Sequence, residues 1–95
     1  MLAKNKLADE TFSDKVKFVV TGILPGAVLS YKRVAEKAGN PKAARAVARI
    51  MSANYDKRIP CHRVIRSDGQ VGEYNRGGQE MKLHLLLKEG WIRHK

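Results

Sequence analysis

The chain has 95 residues, 43% hydrophobic and 29% charged, with 19 Lys and Arg against 9 Asp and Glu and a net charge of +10. Folding at this length buries about 60–65% of the surface exposed by the unfolded chain, which leaves room for one modest core rather than two domains, and near-average apolar and charged fractions argue against wholesale disorder. The excess of cations predicts an anionic partner, nucleic acid first.

Residues 1–10 mix charges and small apolar groups without periodicity and read as an N-terminal arm, with the folded domain expected over 11–95. Phe12, Val16, Val19, Val20 and Ile23 recur at i, i+4, i+7, i+8 and i+11, one face of a helix, with Thr11 or Ser13 as N-cap. Pro25-Gly26 stops it, and Ala27-Val28-Leu29 is a short extended link. Ser30 is the N-cap candidate of a second helix carrying Val34, Ala35 and Ala38, closed by Gly39. Asn40 as N-cap and Pro41 at the first position predict a third helix from about Pro41 to about Ala53, burying Ala44, Val47 and Met51. Two helices joined across a Gly-containing turn make a helix-turn-helix outline.

Beyond Asn54, Val64-Ile65 and Val71 flank Ser67-Asp68-Gly69, which suggests a tight hairpin or wing. A last helix is expected from about Gln79 to Glu89, with Met81, Leu85 and Leu86 inward, Leu87 a further candidate, and Gly90 as terminator. The expected class is mainly α: a winged-helix-like helix-turn-helix domain with a short hairpin or wing around the active-site turn.

Lys42, Arg45 and Arg49 stand at i, i+3 and i+7, on one stripe of the third helix, and the positions between them are small. Such a helix can approach a nucleic-acid backbone with its cations on phosphates. The competing reading is a solvated, alanine-rich amphipathic helix. Nothing in the stripe demands base-edge contacts, so backbone-dominated, salt-sensitive binding is expected.

Cys61 is the single cysteine, which rules out an intrachain disulfide and a Cys-rich zinc site. A lone thiol suits a reducing cytoplasm. The start, Met1 to Lys6, has no apolar signal region, and the stretch from Phe18 to Leu29 is too short and too interrupted to span a bilayer. A soluble cytoplasmic protein without membrane association is therefore expected. A lone cysteine is most often a small buried hydrophobe. Here Pro60 precedes it and His62 and Arg63 follow, cationic neighbours that favour the thiolate and an imidazole able to take the thiol proton.

The segment Ile59-Pro60-Cys61-His62-Arg63-Val64-Ile65 resembles the Pro-Cys-His-Arg-Val active-site motif of the O6-alkylguanine-DNA alkyltransferases (methylated-DNA–protein-cysteine methyltransferases). Ser30-Tyr31 with Val34-Ala35 resembles the first helix of the family's helix-turn-helix. Pro41-Lys42-Ala43-Ala44-Arg45-Ala46-Val47 resembles its recognition helix. Gly72-Glu73-Tyr74, Gly77-Gly78, Lys82, Leu85-Leu86 and Glu89-Gly90 resemble its closing segment. The likeness runs in order from about Phe12 to Gly90.

The resemblance implies binding of double-stranded DNA containing O6-alkylguanine, rotation of the damaged base out of the stack, and stoichiometric, single-turnover transfer of its alkyl group to Cys61. Arg45 would fill the vacated space and Tyr31 would assist flipping and contact the base. His62 would act as base through a water, with Glu89 orienting the imidazole. Asn54 matches the family's asparagine upstream of the cysteine, and Val64, Tyr74 and Asn75 fall at the base pocket. No cofactor or catalytic metal is implied, and a monomer is expected. Typical members carry an N-terminal domain, whereas about eleven residues precede the matching part here. Ala48-Arg49 stands where Gly-Gly is usual, and Tyr55 follows Asn54 in place of Pro. The link to Cys61 is one residue shorter and that from Tyr74 to Gly77-Gly78 one longer. The short format also resembles the alkyltransferase-like proteins, which bind alkylated DNA without repairing it, flag it for excision-repair proteins and carry Trp or Ala at the cysteine position. A generic helix-turn-helix regulator is the third reading; it leaves Cys61-His62 unexplained.

Overall fold

The computed structural model describes residues 11–92; the expected arm over 1–10 lies outside them. In chain order come α1 (Phe12–Thr21), β1 (Leu29–Ser30), α2 (Tyr31–Lys37), α3 (Ala44–Ser52), a 3-10 turn (Cys61–Arg63), β2 (Val64–Ile65) and α4 (Gly78–Lys88). The class is mainly helical, as expected.

Helix α1 starts at a capping box: the Asp14 amide donates to the Thr11 hydroxyl at 3.1 Å and the Thr11 amide to the Asp14 carboxylate at 3.3 Å. This selects Thr11 over Ser13, because the box satisfies two amides that the first turn leaves unpaired. Val16 and Val20 are buried on one face, and Ile23 extends that stripe past the helix end. Helix α2 begins where the Ser30 hydroxyl accepts from the Arg33 amide. It ends in a Schellman closure, with the Gly39 amide bonded to the Glu36 carbonyl, the Asn40 amide to the Ala35 carbonyl, and Gly39 at φ 96°.

That closure moves the start of the third helix. Pro41 was expected to open it; α3 begins instead at Ala44 with Ala43 as N-cap. The Asn40 amide is committed to ending α2, and the Asn40 carbonyl accepts from the Ala43 amide in an intervening turn. Lys42 therefore stands in the turn rather than on the helix, and the stripe reduces to Arg45 and Arg49. Val47 and Met51 are buried as expected, and Ala44 is half-buried.

The Asp-Gly turn forms: the Gly69 amide bonds the Arg66 carbonyl and the Arg66 amide the Gln70 carbonyl. The strand leading into it also pairs elsewhere, since β2 runs parallel to β1 with Leu29 opposite Val64 and Ser30 opposite Ile65. The expected link at Leu29 is thus a strand. Its consequence is positional: Tyr31, the first residue of α2, is brought beside the chain that has just left the 3-10 turn.

Side chains of α1, α2 and α3 close one core with Cys61 and Val64, and a second, smaller cluster joins Ile65, Val71, Leu86 and Trp91. Helix α4 presents a face different from the expected one. Met81 and Leu87 are 41% and 52% exposed, Leu85 is half-buried, and the inward positions are Lys82 and Leu86. The run of leucines offers apolar groups on every side of this helix, so apolarity alone does not choose the face. Among the described residues no helix is long and apolar enough to cross a membrane.

Candidate functional site

The loop before Cys61 is built by Asn54. Its buried side-chain amide donates to the carbonyls of Asp56 and Ile59, and its Oδ1 accepts from the Asp56 amide. Asn54 thus shapes the approach to the cysteine, and its backbone carbonyl accepts from the Asn75 side chain. Pro60, at φ −79° and ψ 68°, centres an inverse γ-turn closed by the Cys61 amide on the Ile59 carbonyl at 2.8 Å. The 3-10 turn follows at once and turns Cys61 into the core, where it is 4% exposed.

His62 and Glu89 come together across 27 residues of sequence, with Nε2 of the imidazole 2.8 Å from Oε2 of the carboxylate. Arg63 holds the same carboxylate as a fork: Nε donates to Oε1 at 2.9 Å and Nη2 to Oε2 at 2.7 Å, while Nη1 donates to the Ile23 carbonyl at 2.7 Å. This bidentate pairing first, and the His62 hydrogen bond after it, outweigh burial and hold the Glu89 carboxyl at about 2, below the ordinary carboxylate range. An ionised carboxylate only accepts, so the neutral imidazole carries its proton on Nε2 and leaves the Nδ1 lone pair free. Glu89 is itself fixed as the C-cap of α4: the Gly90 amide bonds the Leu87 carbonyl and the Trp91 amide the Leu86 carbonyl, with Gly90 at φ 97°.

A cavity of about 610 Å³ opens over the sulfur. Helix α3 lines it with Arg45, Ala48 and Arg49, α2 with Tyr31, and the segment after β2 with Arg66, Glu73, Tyr74 and Asn75. Neither Arg45 nor Arg49 has a side-chain partner among the described residues, so both charges face solvent beside the cavity mouth. Lys42, exposed in the preceding turn, does not line it. Val64 is buried in β2 as part of the main core and does not line the cavity. Tyr74 stands edge-on to His62, ring centres 6.4 Å apart.

Three features were not read from the residues themselves. The ammonium of Lys82, 1% exposed, donates to the Tyr31 hydroxyl at 3.2 Å and to the Glu73 carbonyl at 3.1 Å. Burial pushes it down to about 8 against the opposing pull of the Cys61 and Glu73 charges. With Lys82 donating to it, the Tyr31 hydroxyl is free to direct its own proton elsewhere. Burial first, then the Cys61 and Glu73 charges, raise that phenol above its ordinary value, against Arg66.

The Asn75 side-chain amide lies 2.7 Å from the Ser52 and Asn54 carbonyls and 3.4 Å from that of Met51. It thereby closes the C-terminal end of α3. Arg76 directs Nη2 at the Cys61 sulfur, 3.3 Å away. Most of these contacts join segments distant in sequence; the resemblance singles out Tyr31, Asn75 and Lys82 but not these partners, and Arg76 is not singled out at all.

A family model described as the DNA binding domain of 6-O-methylguanine DNA methyltransferase matches residues 11–91. A methylated-DNA–protein-cysteine methyltransferase of Rattus norvegicus is 56% identical over 66 residues, 68% of this chain and 32% of that protein. Its Homo sapiens counterpart is 46% identical over 83 residues, 85% of this chain and 40% of that protein. The chain thus spans about a third to two fifths of the length of these relatives. Among solved structures, Mycobacterium tuberculosis OGT in complex with DNA superposes with a TM-score of 0.78 at 36% identity, covering 84% of this chain and 49% of that one. S. pombe Atl1 in complex with damaged DNA containing O6-carboxymethylguanine superposes with a TM-score of 0.74 at 31% identity, covering 83% of this chain and 75% of that one.

Proposed function

Because this chain belongs to the 6-O-methylguanine DNA methyltransferase family, we propose that it repairs alkylated DNA by taking the alkyl group of an O6-alkylguanine onto Cys61. The observation that carries this reading is the buried Cys61 at a cavity wall, next in sequence to an imidazole whose Nε2 is tied to Glu89. DNA would meet the α3 face, with Arg45 and Arg49 toward it and duplex phosphates drawn by the net charge of +10. Turning a guanine out of the stack costs a few kcal/mol, offset by an inserted side chain and by phosphate contacts. Arg45, exposed at the cavity rim, fills the inserted role, and Tyr31 receives the base.

The chemistry is one displacement. The thiol proton passes through a water to Nδ1 of His62, and Glu89 stabilises the imidazolium that results. The sulfur forms a bond to the alkyl carbon as the bond from that carbon to O6 breaks. The electron pair goes to the guanine, which takes up a proton. A thioether has no good leaving group, so each molecule acts once, as a cytoplasmic monomer without cofactor or metal.

The test is to incubate the protein with duplex DNA carrying O6-methylguanine and weigh the peptide that holds Cys61. A stoichiometric single-methyl gain, absent in Cys61→Ser, is the expected result. Tight binding of the lesion without any gain would overturn transfer. It would instead support a damage-binding module that passes the lesion to excision-repair proteins. That second reading draws on the superposition with Atl1 in complex with damaged DNA, at a TM-score of 0.74 and 31% identity.

A further inference from the structure

We propose that Arg76 is a positioning residue for Cys61, holding the sulfur through a charge-assisted contact that favours the thiolate. This rests on the reading of Cys61 as the nucleophile and adds to it a residue outside the Cys61, His62 and Glu89 set. The guanidinium donates from Nη2 to the sulfur at 3.3 Å, and its central carbon lies 5.7 Å from the centre of the Tyr74 ring. Its Nε is buried without a partner among the described residues. Leaving a guanidinium N–H unpaired is costly, so the contacts to sulfur and ring are what keep the side chain in place.

The backbone around Arg76 fixes its direction. Asn75 is clamped to the end of α3, and the Gly78 amide bonds the Tyr74 carbonyl at 2.9 Å. Arg76 does not line the cavity. It reaches the sulfur from outside and leaves the cavity side of Cys61 open to an incoming alkyl carbon.

A thiolate 4% exposed needs a counter-charge. The groups facing it are Tyr31 from α2, Lys82 from α4, Tyr74 and Arg76 from the connecting loop, and His62 beside it in the 3-10 turn; Glu73 and Arg66 act on Tyr31. Two of these, Lys82 and Arg76, are cationic at neutral pH. Lys82 gives up its charge near pH 8 and is already shared between Tyr31 and the Glu73 carbonyl. Arg76 keeps its charge at every working pH.

The test needs no DNA, so it fails or succeeds separately from alkyl transfer. Iodoacetamide is attacked by the Cys61 sulfur, forming a carbon–sulfur bond as iodide leaves, and its rate is followed against pH in the intact chain. In Arg76→Met and Arg76→Gln, the pH of half-maximal alkylation is expected to rise by about one unit, slowing reaction at neutral pH about tenfold. Arg76→Lys, which keeps the charge, is expected to recover most of the rate. A profile identical to wild type in both Met and Gln variants would overturn the proposal, as would an Arg76→Lys profile displaced as far as theirs. Circular dichroism selects the variants that fold; should the Met variant unfold, the Gln and Lys pair decides alone.

Discussion

The Glu89 carboxylate is held by two neighbours in sequence at once, with His62 Nε2 2.8 Å from Oε2 across 27 residues and Arg63 forked onto both oxygens. The imidazole is therefore oriented by a group that is itself immobile, and the charge on Glu89 is secured by Arg63 rather than by the histidine it serves.

Replacing Glu89 by Gln keeps the size and removes the charge. The expected outcome is a folded protein whose single-turnover rate on O6-methylguanine duplex falls about tenfold to a hundredfold, because the imidazolium loses its counter-ion. A rate equal to wild type would remove Glu89 from the proton path.

Lys82 sets a stability change with a defined sign. Its folded value of about 8 lies below the ordinary 10.5. The charged form is thus disfavoured in the fold, and that cost, present at neutral pH, is relieved as pH rises above about 8. Between 8 and 10 the unfolded chain binds more protons than the folded one at this site, so unfolding free energy should increase with pH. Above 10 the raised phenols of Tyr31 and Tyr74 oppose it. Denaturant titrations across this range should show the rise in wild type and lose it in Lys82→Met.

Arg45 and Lys42 are separated by the late start of α3. Arg45→Ala is expected to slow lesion processing strongly, because the side chain at the cavity rim is lost. Lys42→Ala should weaken binding to all duplexes alike and lower the salt slope by about one, the signature of a phosphate contact. Equal effects of the two on transfer would make Arg45 a phosphate contact as well.

Asn75→Asp places a carboxylate against the Ser52 and Asn54 carbonyls in place of the donor that now closes α3. It removes hydrogen bonds and adds like charge at the negative end of a helix. A loss of about 1–3 kcal/mol is expected from chemical unfolding, with Asn75→Ala milder. A stability matching wild type in the Asp variant would show that the clamp contributes nothing.

What could be read in advance was local. Thr11 or Ser13 as a cap, Ser30, and Gly39 are signals complete within a few residues, and the first two helices follow from them, with the bond to Asp14 deciding for Thr11. The reactive turn was legible because Pro60, Cys61 and His62 are adjacent in sequence. Misreadings arose where two local signals competed: Asn40 suits a helix start, yet its amide ends α2. The inward face of α4 was hidden because Lys82 finds its partners outside the helix, at the Glu73 carbonyl and at Tyr31, the latter 51 residues away. Arg76 escaped notice for the same reason, since its guanidinium meets the sulfur across a separation of 15 residues.

The two working side chains of α4 carry a final consequence. Lys82 reaches Tyr31 and Glu89 reaches His62 from positions two turns apart on one face, and Gly90 ends the helix directly after the second. Each residue of an α-helix advances by about 1.5 Å and turns by about 100°. A single insertion or deletion between Lys82 and Glu89 would therefore swing one of them away from its partner, whereas exchanges at the exposed Met81, His84 and Leu87 leave both in place. Over evolutionary time this helix is free to vary in letters on its outer side and bound to keep its count.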